Sequence, residues 1–204
     1  MKVINFVKVF FAAAALTTAS VGPAFAQTVQ IVGPVTYNGS GCPFGSIPTP
    51  TITPGGGALT LLFNQFQAIS NSGSNSYKTC NLVIPLKVPA LFKLNLYQAE
   101  YRGYVDPNTR GFLRGNYFFS PAQPGQGQGL VFPATIVGGP NYYYVVHNFG
   151  SATNYLGTAC GQNVNLRVNL SMRATGRGIA TVDTSDLSQR GGGITFPLLL
   201  APCI

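Results

Sequence analysis

Between Asn163 and Ala174 the chain alternates without a break. Val164, Leu166, Val168, Leu170, Met172 and Ala174 are apolar, while Asn163, Asn165, Arg167, Asn169, Ser171 and Arg173 are polar. At the 3.6-residue period of a helix those apolar positions would scatter around the axis. In a strand successive side chains point to opposite faces, and the same pattern makes one dry and one wet surface. The segment therefore reads as a long strand with one face against a core.

Other segments repeat the signal. Leu82, Ile84, Leu86 and Val88 form a similar row, in which Pro85 argues for a sheet edge or a bulge because it brings no N–H to the ladder. Leu59 to Ala68, Phe92 to Val105, Phe112 to Phe119, Leu130 to Val137, Asn141 to Phe149, Ile179 to Asp183 and Ile194 to Leu200 are further candidates. Turn clusters separate them: Pro54-Gly55-Gly56-Gly57, Asn71-Ser72-Gly73-Ser74-Asn75, Asp106-Pro107-Asn108, Pro124-Gly125-Gln126-Gly127 and Gly191-Gly192-Gly193. About nine short strands punctuated this way predict an all-β fold, an antiparallel β-sandwich of jelly-roll-like kind. A small outer-membrane barrel also alternates, but prolines inside the strands and the lack of uniform ten-residue segments argue against it.

Lys2 and Lys8 precede the apolar run Val9 to Leu16, and Ala24-Phe25-Ala26 gives a small-x-small cleavage pattern before Gln27. Residues 1–26 thus read as a secretory signal peptide, with an apolar run far short of the ~20 residues that span a bilayer. The expected organisation is this leader followed by a single secreted β-sandwich domain over 27–204. Its first part, 27–54, carries Pro34, Pro43, Pro48, Pro50 and Pro54 and reads as an extended lead-in pinned by Cys42. Export gives meaning to Cys42, Cys80, Cys160 and Cys203, an even number bound for an oxidising compartment. Two disulfides are expected. Of three possible connectivities, the favoured one joins Cys42 with Cys80 and Cys160 with Cys203.

Charged residues make up only 8% of the chain, so its surface polarity must come from uncharged groups, among them fifteen Asn and ten Gln. Without the leader the net charge is +6, and the ten remaining Lys and Arg are scattered from Lys78 to Arg190 with no clustered run. That scatter argues against nucleic acid and for weaker long-range attraction to an anionic polysaccharide, cell-wall polymer or acidic membrane surface.

One histidine, His147, and four acids, Glu100, Asp106, Asp183 and Asp186, leave little from which to build a zinc site. No glycine fingerprint for a dinucleotide or a P-loop is present, and no cofactor is expected. Glu100 and Arg102 share a strand face at spacing two, with Asp106 nearby, and read as a solvated or structural ion pair before acid/base chemistry. Asp183 and Asp186 flank Thr184-Ser185, where an Asx turn or a cap accounts for them better than a calcium loop needing six or more ligands. His147 follows Tyr142, Tyr143, Tyr144, Val145 and Val146 with no G-x-S-x-G elbow, and reads as a strand residue on a half-buried surface. No residue is assigned a catalytic, cofactor-binding or metal-binding role.

The landmarks also fall in a recognisable order: Asn38-Gly39-Ser40-Gly41-Cys42-Pro43, Phe63 and Phe66, Lys78-Thr79-Cys80-Asn81-Leu82, Tyr101-Arg102-Gly103-Tyr104-Val105, Ala159-Cys160-Gly161, Val182-Asp183-Thr184-Ser185-Asp186 and Cys203. From about Val35 to Cys203 the chain resembles the secreted proteins of bacteria and fungi grouped as domain of unknown function 4360. It departs from them in having Val88-Pro89-Ala90 where Pro-Gly is usual, and in lacking tryptophan. The resemblance implies an exported, all-β, disulfide-bonded protein and no particular activity. The expected function is a non-enzymatic structural or surface-interaction role in an extracellular matrix, a wall or a host-facing surface, through polymer binding or self-association at sheet edges. A carbohydrate-binding module using Tyr and Asn is the alternative, and a secreted hydrolase is third.

Overall fold

Alternation on this scale produces strands throughout. The computed structural model describes residues 27–46, 50–71, 76–122, 129–150, 156–182 and 193–203. The expected leader 1–26, Asp183, Asp186 and the turns expected at 72–75 and 124–127 lie outside them. In chain order the strands are β1 (Gln30–Ile31), β2 (Thr36–Asn38), β3 (Thr51–Ile52), β4 (Ala58–Leu61), β5 (Gln67–Ser70), β6 (Ser76–Lys87), β7 (Phe92–Leu96) and β8 (Gln98–Gly103). They continue with β9 (Thr109–Ser120), β10 (Leu130–Val137), β11 (Tyr143–Asn148), β12 (Leu156–Gly157), β13 (Asn163–Gly176), β14 (Gly178–Thr181) and β15 (Gly193–Pro202).

The first sheet runs β1–β6–β13–β9–β10, with β2 also on β6; the second runs β11–β8–β15–β4–β3, with β7 on β15 and β12 on β7. A ribbon of β14 and β5 stands apart from both. Every pairing is antiparallel. Val164, Leu166, Val168, Leu170, Met172 and Ala174 of β13 are all buried, in one core with Leu59 and Leu61 of β4, Tyr101 of β8 and Phe196 of β15. Each large aliphatic side chain removed from water there contributes about 1.5–3 kcal/mol. The result is an all-β sandwich.

The strand count exceeds the nine expected, for identifiable reasons. The apolar run Leu59 to Ala68 is two strands. The chain leaves the second sheet after Leu61, and the buried Phe63 and Phe66 pack at 5.5 Å between centroids before β5 begins, so core-facing turn residues mimic strand continuity. Phe92 to Val105 is broken at a bulge: Tyr97, Gln98 and Ala99 oppose only Phe196 and Pro197 between the Leu96–Leu198 and Glu100–Thr195 pairs. Pro197 sits where the ladder is interrupted and its missing N–H costs least. Pro85 lies one strand in from the margin, opposite Asn165, and β1 and β2 stop on either side of it. The lead-in 27–54 supplies β1 and β2 to the first sheet and β3 to the second.

Cys42 is bonded to Cys80, holding the turn after β2 against β6, and Cys160 to Cys203, tying the approach to β13 in one sheet to the end of β15 in the other. They close separations of 38 and 43 residues, for which the chain-entropy model gives roughly 4 kcal/mol each.

Leu166 and Arg167 test the facing of β13. Leu166→Ala is expected to lower unfolding free energy by about 2–5 kcal/mol, and Arg167→Gln to stay within about 0.5 kcal/mol of the parent. Urea midpoints measure both, and equal sensitivity would contradict the assigned faces.

Candidate functional site

The pattern that buries one side of β13 leaves the other side open, and register decides what stands beside it. Asn38 on β2, Asn81 on β6, Asn169 on β13 and Asn116 on β9 are successive partners across the first sheet. Four amides therefore line up over three strand spacings, about 14 Å. Asn81 Nδ2 donates to Asn38 Oδ1 at 3.2 Å, while Asn116 Oδ1 is buried against Gly129 without a hydrogen-bond partner.

Cations bracket this row. Arg167 stands between Val83 and Phe118 on one side of it, and Arg114 between Ser171 and Pro133 on the other. Next comes Arg173, between Tyr77 and Phe112, its guanidinium carbon 4.5 Å from the Phe112 ring centroid; then Arg110, beside Thr175 and Val137. At the far end Lys87 is exposed opposite Asn163. Lys87, Arg167, Arg114, Arg173 and Arg110 thus follow a diagonal from β6 to β9 that runs roughly 40 Å along the strands. None of the six strands of this sheet contains Asp or Glu. With no carboxylate on its own strands to neutralise it, the positive potential is left facing outward.

The residues singled out in the sequence lie elsewhere. Glu100 and Arg102 do share the outward face of β8. Glu100 accepts a hydrogen bond of 2.6 Å from Gln98 Nε2, and Arg102 lies over the Tyr144 ring at 5.5 Å. The Tyr144 hydroxyl is shifted up from its ordinary value by desolvation and then by its hydrogen bond to the Glu100 carboxylate. Asp106 opens a turn in which Thr109 N–H donates to its carbonyl at 3.1 Å and Asn108 adopts φ 64°. A left-handed residue two after Asp, with Pro between, is the type II pattern. Its carboxylate accepts from Ile179 N–H at 2.8 Å and so fastens β14. Both described carboxylates are held by neighbours. Among the described residues no three His, Cys, Asp or Glu gather as a metal site would require.

His147 is not half-buried but fully buried, at 2% exposure. Its Nδ1 is 2.7 Å from the Tyr117 hydroxyl, which hydrogen-bonds in turn to the Tyr101 hydroxyl across the core. Gly115 makes the chain possible, because a Cβ there would collide with the Tyr117 hydroxyl. Phe132 and Phe149 pack on the same group, and His147 Nε2 has no hydrogen-bond partner. Desolvation lowers the His147 pKa to about 4 and raises both phenols. This is a neutral link between the sheets, without the serine or carboxylate of a triad. Of the tyrosine run, Tyr143 points inward to the Thr181 carbonyl at 2.7 Å, and Tyr142 packs at 5.7 Å from Tyr104.

Two features escaped the sequence reading: the gathering of the cations and the buried Tyr101–Tyr117–His147 link. The first had a trace, since Arg110 with Arg114 and Arg167 with Arg173 are each an even number apart and so share a strand face. The second had none.

Fold and face together define a class, an antiparallel β-sandwich stapled by two disulfides that presents one broad cationic sheet face. Within it, the chain belongs to the family described as Domain of unknown function (DUF4360), whose model matches residues 27–192. An uncharacterized secreted protein of Arthroderma benhamiae is 33% identical over 170 residues, covering 78% of this chain and 67% of that protein. Among solved structures, TmCBM61 in complex with beta-1,4-galactotriose aligns with TM-score 0.30 and 11% identity over 83% of this chain and 89% of its own. The enzymatically active domain of bacteriophage CBA120 tailspike protein 4 aligns with TM-score 0.25 and 10% identity over 86% of this chain and 19% of its own. Likeness at that level carries nothing over to the site.

The buried histidine gives a pH signature. Its folded pKa lies below the unfolded 6.5, so on acidification the unfolded chain binds a proton that the native chain refuses, and stability falls from about pH 6.5 towards pH 4. Between pH 7 and 4.5 the loss is about 2–3 kcal/mol. His147→Gln should lose less than the parent by about that amount in urea titrations at the two pH values; identical losses would show that His147 does not titrate this way.

Proposed function

We propose that this chain is a secreted, non-enzymatic surface-interaction protein whose working surface is the outer face of the first sheet, laid against a carbohydrate polymer of a matrix or wall. The observation that carries this is the register that sets Asn38, Asn81, Asn169 and Asn116 in one row between Arg167 and Arg114. Amides both donate and accept, as sugar hydroxyls do, although Asn116, with its Oδ1 buried, can only donate, and Tyr77, 60% exposed, adds an aromatic face on which a ring can rest. An open sheet face suits an extended polymer better than a small molecule, which is normally enclosed in a concave site.

Self-association through the edges of the first sheet is less favoured, because β1 and β2 are two and three residues long and β10 carries Pro133. Short and proline-bearing edges resist strand addition.

Retention on insoluble cell-wall polysaccharide tests the proposal. Tyr77→Ala combined with Asn169→Ala is expected to reduce retention at least several-fold. Glu100→Gln, Asp106→Asn, Asp183→Asn and Asp186→Asn should each leave it intact, the four amides covering every side-chain carboxylate in the chain. Polymer turnover that one well-folded amide variant alone loses, typically by ~10²-fold or more, would overturn the non-enzymatic reading.

A further inference from the structure

Five of the ten Lys and Arg beyond the leader lie on the one face just described, although no two of them are closer than four positions in sequence. Building on the surface-binding reading, we infer that the polymer is acidic: a polysaccharide carrying carboxylates, of the polyuronate class, which lies along the diagonal from Lys87 through Arg167 and Arg114 to Arg110.

Charge complementarity carries the first step. The face bears five cations, on strands that contain no Asp or Glu. A protein domain ordinarily intersperses both signs on its surface; a single-signed face loses its self-repulsion when an anion lies on it.

Spacing carries the second. Lys87 to Arg167 and Arg167 to Arg114 are each four residues along the strands and one strand across, a step of about 14 Å by strand geometry. Such regular, separated charges meet a chain that repeats its anion at intervals. They do not form the compact cluster that would chelate one phosphate or sulfate.

Side-chain chemistry carries the third. Four of the five cations are Arg, whose planar fork matches a carboxylate with two parallel hydrogen bonds. Between them stand neutral Asn165, Asn169, Asn116 and Ser171, groups suited to hydroxyls. An acidic sugar chain offers both functions in alternation. The exposed apolar side chains of this face, Tyr77, Val131 and Val137, stand apart on β6 and β10, not as the one contiguous patch that a lipid surface would call for, and Phe112 is covered by Arg173.

The test uses the full secreted protein, with polygalacturonate as the acidic probe, its fully methyl-esterified form as the neutral probe and duplex DNA as a competing polyanion, each titrated calorimetrically in low and in raised salt. Binding is expected to polygalacturonate, to weaken as salt is raised because screening acts on exposed charges, and to fall for the ester by at least tenfold. The double substitution Arg114→Gln with Arg167→Gln should weaken binding by roughly tenfold or more, the worth of one charge-assisted hydrogen bond or better. Lys93→Gln with Arg102→Gln, on the other sheet, should leave it unchanged, and unaltered melting temperatures in both doubles exclude misfolding. Equal binding of acid and ester overturns the acidic inference while leaving the surface-binding reading in place. Tighter binding of DNA, or equal losses in both doubles, overturns it as well. Failure of the protein to bind any polysaccharide, these two and cell-wall material included, overturns both.

Discussion

Residues 165–174 of β13 are hydrogen-bonded into the sheet on both sides, to β6 and to β9, and every second side chain among them is buried. That double constraint fixes more than one strand. A slip of one residue would carry Leu166, Val168, Leu170 and Met172 to solvent and push Arg167, Asn169 and Arg173 into the core, losing several buried aliphatic side chains and stranding charges out of water. The register is thus held by gains on one face and penalties on the other. Because it is held, the partners of Asn169 and Arg167 on the neighbouring strands are also determined, and a surface of defined composition follows from the need to fill a core.

The interior adds a second level of definition. Apolar side chains fill the space between the sheets without specifying one unique arrangement, whereas the hydroxyls of Tyr101 and Tyr117 and the Nδ1 of His147 meet only when β8, β9 and β11 stand in one relative position. A buried polar group left unpaired is costly, so such a link disfavours displaced packings. Gly115 supplies the room for it. The Cys160–Cys203 bond fixes the two sheets from another point, at the start of β13 and the end of β15.

How much of this was legible in the sequence depends on whether the signal was local. The long alternation marks β13 from its first residue, Asn163, and Leu130 to Val137 coincides with β10, because a strand with one wet face writes its period into consecutive residues. The segment Phe92 to Val105 looked continuous because the Tyr97 bulge changes which residue opposes which, a property of the partner strand that the local sequence does not carry. The cationic face was hidden for the same reason. Arg110 and Arg114 are more than fifty positions from Arg167 and Arg173, so the basic residues read as scattered until the pairing of β9 with β13 brought them together. His147, after the run Tyr142 to Val146, read as a strand residue on a half-buried surface, yet it shares its parity with Tyr143 and Val145 and its side chain is buried in the core.

Core and working surface follow from one register, with the two described acids, Glu100 and Asp106, placed away from both. Glu100 lies on the outer face of the other sheet and Asp106 is occupied in fastening β14, so neither opposes the field over Arg167 and Arg114. The most direct measurement is nuclear magnetic resonance of the side-chain N–H groups during titration with polygalacturonate. The expected result is that the Asn81, Asn116 and Asn169 amides and the Arg114 and Arg167 guanidinium signals shift together, while Gln98 and Arg102 on β8 stay fixed. Shifts centred on Gln98 and Arg102, with the asparagine row unmoved, would contradict it.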